Sequence, residues 1–123
     1  MKIIITKNYE ELSKVAANEM AETIKSNPKA ILGLATGGSP IGMYKELIRM
    51  NKDGEIDFST ITTVNLDEYI GLSGEHTQSY RYFMNDNLFN HINNAIHWSK
   101  IPTCQSVCLF EELGKIIGKV FWQ

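Results

Sequence analysis

The stretch Ala30-Ile31-Leu32-Gly33-Leu34-Ala35-Thr36-Gly37-Gly38-Ser39-Pro40-Ile41 decides the fold. Its first six residues are a continuous apolar run of strand length, which predicts a strand buried on both faces and therefore a parallel sheet. Two adjacent glycines follow, and then Ile41, Met43, Tyr44, Leu47, Ile48 and Met50 recur at helical spacing. Ser39 reads as the N-cap of that helix and Pro40 as its first residue. A serine oxygen accepts an orphan N–H, and proline lacks the N–H that a first turn cannot use.

Working upstream, Ile3-Ile4-Ile5 is β-branched and short, as a strand would be. Asn8 then stands as a cap ahead of a segment whose apolar face is Leu12, Val15, Ala16, Met20 and Ile24. This helix is expected to stop before Pro28, because the residue preceding a proline is pushed out of the α region. Downstream, Asn51-Lys52-Asp53-Gly54 closes the second helix and Ile61 to Leu66 forms the next strand. Thr77 to Ile92 reads as a third helix, with Tyr80, Phe83, Met84, Leu88 and Phe89 on its buried side. The alternation predicts an α/β fold: a Rossmann-like, open, mostly parallel sheet flanked by helices and joined by right-handed crossovers. In such sheets ligands bind at the carboxyl ends of the strands.

The composition agrees with one domain and a buried core. Of 123 residues 43% are hydrophobic and 21% charged, which excludes disordered and collagen-like chains. Lys and Arg number 12 against 14 Asp and Glu, a formal charge of −2. No broad positive field exists to attract nucleic acid or an acidic membrane, so an anionic ligand must be caught locally. Cys104 and Cys108, four residues apart, do not make a disulfide framework and fit a reducing compartment. No apolar run approaches the roughly 20 residues of a membrane span, and the N-terminus lacks the pattern of a signal peptide. A cytoplasmic protein without a membrane partner is expected.

Two clusters lie where the fold puts ligands. In Thr36-Gly37-Gly38-Ser39 the glycines let the backbone approach a ligand and present successive N–H groups, and the helix that follows adds the positive end of its dipole. That arrangement suits phosphate. The pattern is neither a Walker A loop nor Gly-x-Gly-x-x-Gly, so nucleoside triphosphates and dinucleotides lose support. The competing explanation is a tight turn that needs glycine for sterics alone. Asn65-Leu66-Asp67-Glu68-Tyr69 places two acids at the exit of the second predicted strand. Successive strand side chains face opposite ways, so at most one of Asp67 and Glu68 is expected to share the glycine-loop pocket, where a lone carboxylate could act as a general base. Residue period alone does not choose between them, and taken without the glycine loop an exposed acidic turn is the favoured reading of both. His76, His91 and His97 with Cys104 and Cys108 form no zinc spacing, and no metal is expected. No Gly-x-Ser-x-Gly elbow supports a serine hydrolase.

The blocks Leu32-Gly33-Leu34-Ala35-Thr36-Gly37-Gly38-Ser39-Pro40, Tyr44-Lys45-Glu46-Leu47, Asn65-Leu66-Asp67-Glu68-Tyr69-Ile70-Gly71-Leu72 and His76-Thr77-Gln78-Ser79-Tyr80, in this order and spacing, closely resemble the glucosamine-6-phosphate deaminase family. The resemblance runs through about residue 92. It implies conversion of glucosamine 6-phosphate and water to fructose 6-phosphate and ammonium, by aldose-ketose isomerisation and deamination, without a cofactor. It further implies that the backbone of Gly37, Gly38 and Ser39 holds the phosphate and that Asp67 takes the C2 proton and returns one at C1. Thr36 and Glu68 are left as support for the loops. The partner it implies is a small amino sugar phosphate.

Residues 93–123 do not continue the family pattern. The family's second half, with its glycine-rich segment, ring-opening histidine and basic phosphate ligands, has no counterpart there, and His97 is not given that role. The expected organisation is therefore residues 1–92 as the N-terminal part of a sugar-phosphate α/β domain, incomplete relative to the family fold, and 93–123 as a divergent tail. The chain reads as truncated or frame-disrupted. Leu109, Phe110, Leu113, Ile116, Ile117, Val120 and Phe121 form an apolar helical stripe in this tail, suited to capping the half-sheet or to self-association into a homo-oligomer. Two other functions compete: a catalytically inactive module for sugar-phosphate binding or subunit interaction, and a 6-phosphogluconolactonase-like enzyme, against which the Asn65 to Tyr69 block argues.

Overall fold

Asn8 opens the first helix as its composition suggests. With extended backbone it accepts the Glu11 N–H on its side-chain oxygen at 2.9 Å, and α1 runs Tyr9–Ser26. The computed structural model describes residues 3–93. After α1 come β1 (Ile31–Leu34), α2 (Ile41–Lys52), β2 (Thr62–Asn65), α3 (Tyr80–Asn87) and a single 3₁₀ turn, Phe89–His91. β1 and β2 are parallel neighbours, paired from Ile31 with Thr62 to Leu34 with Asn65, and α2 makes the crossover between them. The α/β class with a parallel sheet is what the alternation predicts.

Several details depart from expectation. Ile3, Ile4 and Ile5 form no strand; Ile3 is 72% and Ile5 92% exposed, since no neighbouring strand among the described residues takes up their backbone groups. β1 is not buried on both faces. Leu32 and Leu34 point into the core while Ile31 and Gly33 are exposed, because the described helices cover one face of the strand pair. The N-cap of α2 is Pro40, with helical backbone and no capping side chain; Ser39 lies one residue too early. Thr77 to Ser79 precede α3 instead of joining it. Ser79 caps it, its Oγ accepting the Tyr82 N–H at 3.0 Å.

The buried face of α1 is also turned relative to the sequence pattern. Ser13, Ala17, Ala21 and Ile24 are buried, whereas Leu12 is 49% exposed and Val15, Ala16 and Met20 are only half-buried. Small residues win this face because α1 lies close against α2. A Cβ on Gly42 would sit 2.1 Å from Ser13 Oγ and 2.9 Å from Ser13 Cβ. Dispersion rewards such close approach more than burial of one larger side chain held further off. Below the helices, Tyr44, Leu47, Phe58, Ile61, Met84 and Leu88 form the fully enclosed part of the core. The tail, with His97, Cys104, Cys108 and the predicted stripe from Leu109 to Phe121, lies outside the described residues.

Candidate functional site

β1 and β2 deliver their following loops to the same edge of the sheet. Leu34 pairs with Asn65, so Thr36 and Asp67 each stand two residues beyond the last paired position of adjacent strands, which are about 4.8 Å apart. Two side chains fasten this end. Asn65, buried, donates from Nδ2 to the Leu34 carbonyl at 2.9 Å, and Tyr44, wholly enclosed, donates from its hydroxyl to the Ala35 carbonyl. Burial pushes the Tyr44 hydroxyl far above the ordinary phenol range, more than the bond to Ala35 lowers it, so it stays a donor.

The glycine loop then turns outward. Gly37 has a φ of +92°, a conformation that side chains with a Cβ rarely adopt, so the turn itself requires glycine there. Gly38 is different. Its φ is not in the left-handed region, and a Cβ built on it meets no described atom within 4 Å. Neither backbone conformation nor packing within the described residues demands glycine at 38. Gly37, Gly38 and Ser39 are exposed and Thr36 half-buried. The loop is tied from the side by Tyr9, whose hydroxyl lies 3.2 Å from the Gly38 carbonyl and 3.0 Å from the Ser39 carbonyl and accepts the Gly42 N–H at 2.8 Å. The first turn of α2 carries no acidic residue.

The two acids separate clearly. Asp67 is exposed at the strand exit. Glu68 turns to α3, where Oε1 accepts the N–H groups of Tyr80 at 2.8 Å and of Tyr69 at 2.9 Å, and Oε2 that of Arg81 at 3.0 Å. Burial pulls the Glu68 carboxyl up, but the three N–H donors together outweigh it and hold the group below the usual carboxylate range. A carboxylate and Ser79 thus already satisfy the first turn of α3. The N-terminus of α2 has no such anion, and of the two helix starts it is the one open to an anionic ligand.

Tyr69 and Tyr80 pack beside this loop with ring centroids 4.8 Å apart and planes tilted by 38°, their hydroxyls at 3.3 Å. The hydrogen bond that Tyr80 donates to Tyr69, with burial and the charges of Tyr69, Asp67 and Glu68 behind it, pushes the Tyr80 hydroxyl up to about 12. His76 and His91 serve locally: His76 Nδ1 accepts the Gln78 N–H at 3.1 Å and His91 Nε2 lies 2.8 Å from the Asp86 carbonyl. Among the described residues no three His, Cys, Asp or Glu side chains gather as metal ligands, and no helix is long and apolar enough to cross a membrane.

Sequence reasoning missed Tyr9, Tyr44 and Asn65 as elements of this edge. Asn65 carried a signal, a lone amide within a β-branched strand. Tyr44 looked like any core aromatic, and Tyr9, first in its helix and half exposed, carried none.

A parallel strand pair with a glycine loop and a carboxylate at its carboxyl edge defines the chain as an α/β protein of the kind that binds small ligands at strand ends. Comparison with known proteins narrows this. The chain is 74% identical over 93 residues to the glucosamine-6-phosphate deaminase of Clostridium perfringens (strain ATCC 13124), covering 76% of this chain and 38% of the relative. It is 64% identical over 115 residues to that of Thermoanaerobacter sp. (strain X514), covering 94% of this chain and 46% of the relative. The latter match necessarily extends beyond residue 92. A solved monomeric glucosamine-6-phosphate deaminase of the NagB superfamily superposes with a TM-score of 0.82 at 43% identity, over 96% of this chain and 52% of that one. The 6-phosphogluconolactonase from Trypanosoma brucei, at 15% identity and a TM-score of 0.59, shares the fold alone. No family model matches the chain. In sequence and fold the chain is therefore glucosamine-6-phosphate deaminase-like, and it spans about half or less of the length of the curated relatives it matches.

Proposed function

We propose that the chain binds an amino sugar phosphate, with the phosphate on the backbone of Gly37, Gly38 and Ser39 and Thr36 at the loop's entry, and that Asp67 is the base for aldose-ketose isomerisation and deamination of glucosamine 6-phosphate. The carrying observation is Gly38. Sterics of the turn account for Gly37, but nothing among the described residues accounts for a second glycine with open space beside it. A ligand that approaches the backbone does. The acid-free start of α2, where Pro40 offers no capping side chain, supplies the matching dipole.

Asp67 suits the base because Glu68 is committed. Three backbone donors hold Glu68 at α3, and drawing a proton onto it would break that cap. Asp67, two residues past the paired strand end as Thr36 is, stands free to take the C2 proton and return one at C1. The chemistry is an isomerising deamination and not a simple hydrolysis. Glu68 acts as support for the loop that carries Asp67. Residues 1–92 carry the proposed sugar-phosphate site, while likeness to the Thermoanaerobacter relative continues past them into 93–123; the partner is a small molecule in the cytoplasm, and the charge of −2 gives no broad field for nucleic acid.

Titration with glucosamine 6-phosphate and assay of released fructose 6-phosphate and ammonium test this. Binding is expected to perturb the amides of Gly37 to Ser39, and Asp67→Asn to lower turnover about 10²- to 10⁴-fold while leaving binding intact. Binding with a rate that Asp67→Asn does not change removes Asp67 as base and leaves a sugar-phosphate-binding module. No perturbation of the loop amides refutes the phosphate site.

A further inference from the structure

The glycine loop is tied to the first turn of α1. Its carbonyls at Gly38 and Ser39 are both claimed by a side chain from 29 and 30 residues upstream, the Tyr9 hydroxyl at 3.2 and 3.0 Å. The same oxygen accepts the Gly42 N–H at 2.8 Å, so a single hydroxyl bridges the loop and the first turn of α2. Resting on the phosphate reading above, we infer that Tyr9 is a positioning residue for that site: its hydroxyl aims the loop's backbone donors at the ligand.

The aim follows from peptide geometry. All described peptide bonds are trans, and in a planar trans unit the N–H points opposite the C=O. Holding the Gly38 carbonyl toward α1 therefore sends the Ser39 N–H to the other side, away from Tyr9. The Ser39 carbonyl is held at no loss of a donor, since Pro40, next in the chain, has no N–H. With both carbonyls turned to Tyr9, two negative dipole ends are kept from an anion that would be repelled by them. The hydroxyl also removes the Gly42 N–H from competition, leaving the ligand to the donors before it.

Tyr9 is itself set in place by two features. Asn8 caps α1 so that Tyr9 is its first residue, and Ser13 Oγ donates to the Tyr9 carbonyl at 2.8 Å. Gly42 lets α1 come near enough, for a Cβ there would lie 3.0 Å from Tyr9 Cε1 as well as against Ser13. The first turn of α1, the glycine loop and the first turn of α2 thus form one unit, with the phenol at its junction.

Tyr9→Phe keeps the ring and deletes the hydroxyl. At a temperature where both proteins are folded, its affinity for glucosamine 6-phosphate, followed by the loop amide resonances, is expected to fall about five- to tenfold, the scale of one or two neutral hydrogen bonds. The Gly42 amide is expected to exchange its hydrogen faster by a similar factor. Ile24→Val, which thins the buried face of the same helix, lowers the unfolding temperature yet is expected to keep wild-type affinity; a merely structural Tyr9 would make the two variants alike in binding. Wild-type binding with equal affinity in Tyr9→Phe overturns the inference and leaves the phosphate reading standing. Absence of binding by the wild type overturns both.

Discussion

Replacing Gly42 with alanine tests the close approach of α1 to α2 on which the site's geometry depends. From helix propensity alone the change is favourable, by about 1 kcal/mol at a helix interior and less in a first turn. The structure reverses that sign. The new methyl would lie 2.1 Å from Ser13 Oγ, 2.9 Å from Ser13 Cβ and 3.0 Å from Tyr9 Cε1. Rotating the serine hydroxyl away relieves the first contact at the loss of its 2.8 Å bond to the Tyr9 carbonyl. The second cannot be relieved by rotation, because Ser13 Cβ is fixed to the backbone of α1 and the helix must move. Overpacking of this kind costs roughly 1–3 kcal/mol, so the net destabilisation is about 1–2 kcal/mol after the propensity gain. For a domain of this size that lowers the unfolding midpoint by about 4–12 °C.

Thermal unfolding followed by circular dichroism measures it, with Ser13→Gly and the double variant completing a cycle. Ser13→Gly removes both colliding atoms, so the double variant is expected to be more stable than the sum of single effects by about 1 kcal/mol or more. A Gly42→Ala protein as stable as the wild type would refute the reasoning. So would a cycle with no coupling.

Other consequences concern the strand ends and the acid pair. Glu68 is held below its ordinary value of 4.5 in the folded chain, so its stabilising effect is complete above that pH and lost as pH falls through the lowered value. Glu68→Gln is therefore expected to lower the unfolding free energy from urea titration at pH 7 by about 0.3–1 kcal/mol, for a partly exposed helix-terminal charge, with the difference from wild type shrinking toward pH 3; a pH-independent difference contradicts the cap. Asn65→Asp replaces a buried donor to the Leu34 carbonyl by a carboxylate that can only accept when ionised. It is expected to destabilise by about 3 kcal/mol at pH 7 and to recover as acid protonates the new group, which urea unfolding at pH 7 and pH 4.5 would show.

Local chemistry made much of the architecture legible. The Asn8 cap, Pro28 and the Asn51 to Gly54 terminator bracket α1 and α2 because each acts within a few residues of itself. The apolar run before Thr36 and the β-branched run before Asp67 mark the two strands for the same reason, and the glycine pair and acid pair stand just past their carboxyl ends. Apart from two helix starts placed one to three residues early, at Ser39 and Thr77, what failed were statements about neighbours. Whether β1 is covered on both faces, or whether Ile3 to Ile5 pair as a strand, depends on what lies beside them, and a chain's own residues do not state that. The face of α1 is the clearest case: hydrophobicity favours Leu12, but closeness to Gly42 favours Ser13 and Ala17.

The sequence by itself determined the order of elements and the residue types at the strand ends, because propensity, capping and period are short-range properties of the chain. Only the tertiary structure committed Glu68 to the N–H groups of α3 twelve and thirteen residues away, and that commitment is the physical ground on which Asp67 is proposed as the base. Tertiary contact likewise decided that a tyrosine at the start of α1 fastens a loop some thirty residues later. Those roles are made by the meeting of distant segments, and the geometry of that meeting exists only once the chain has folded.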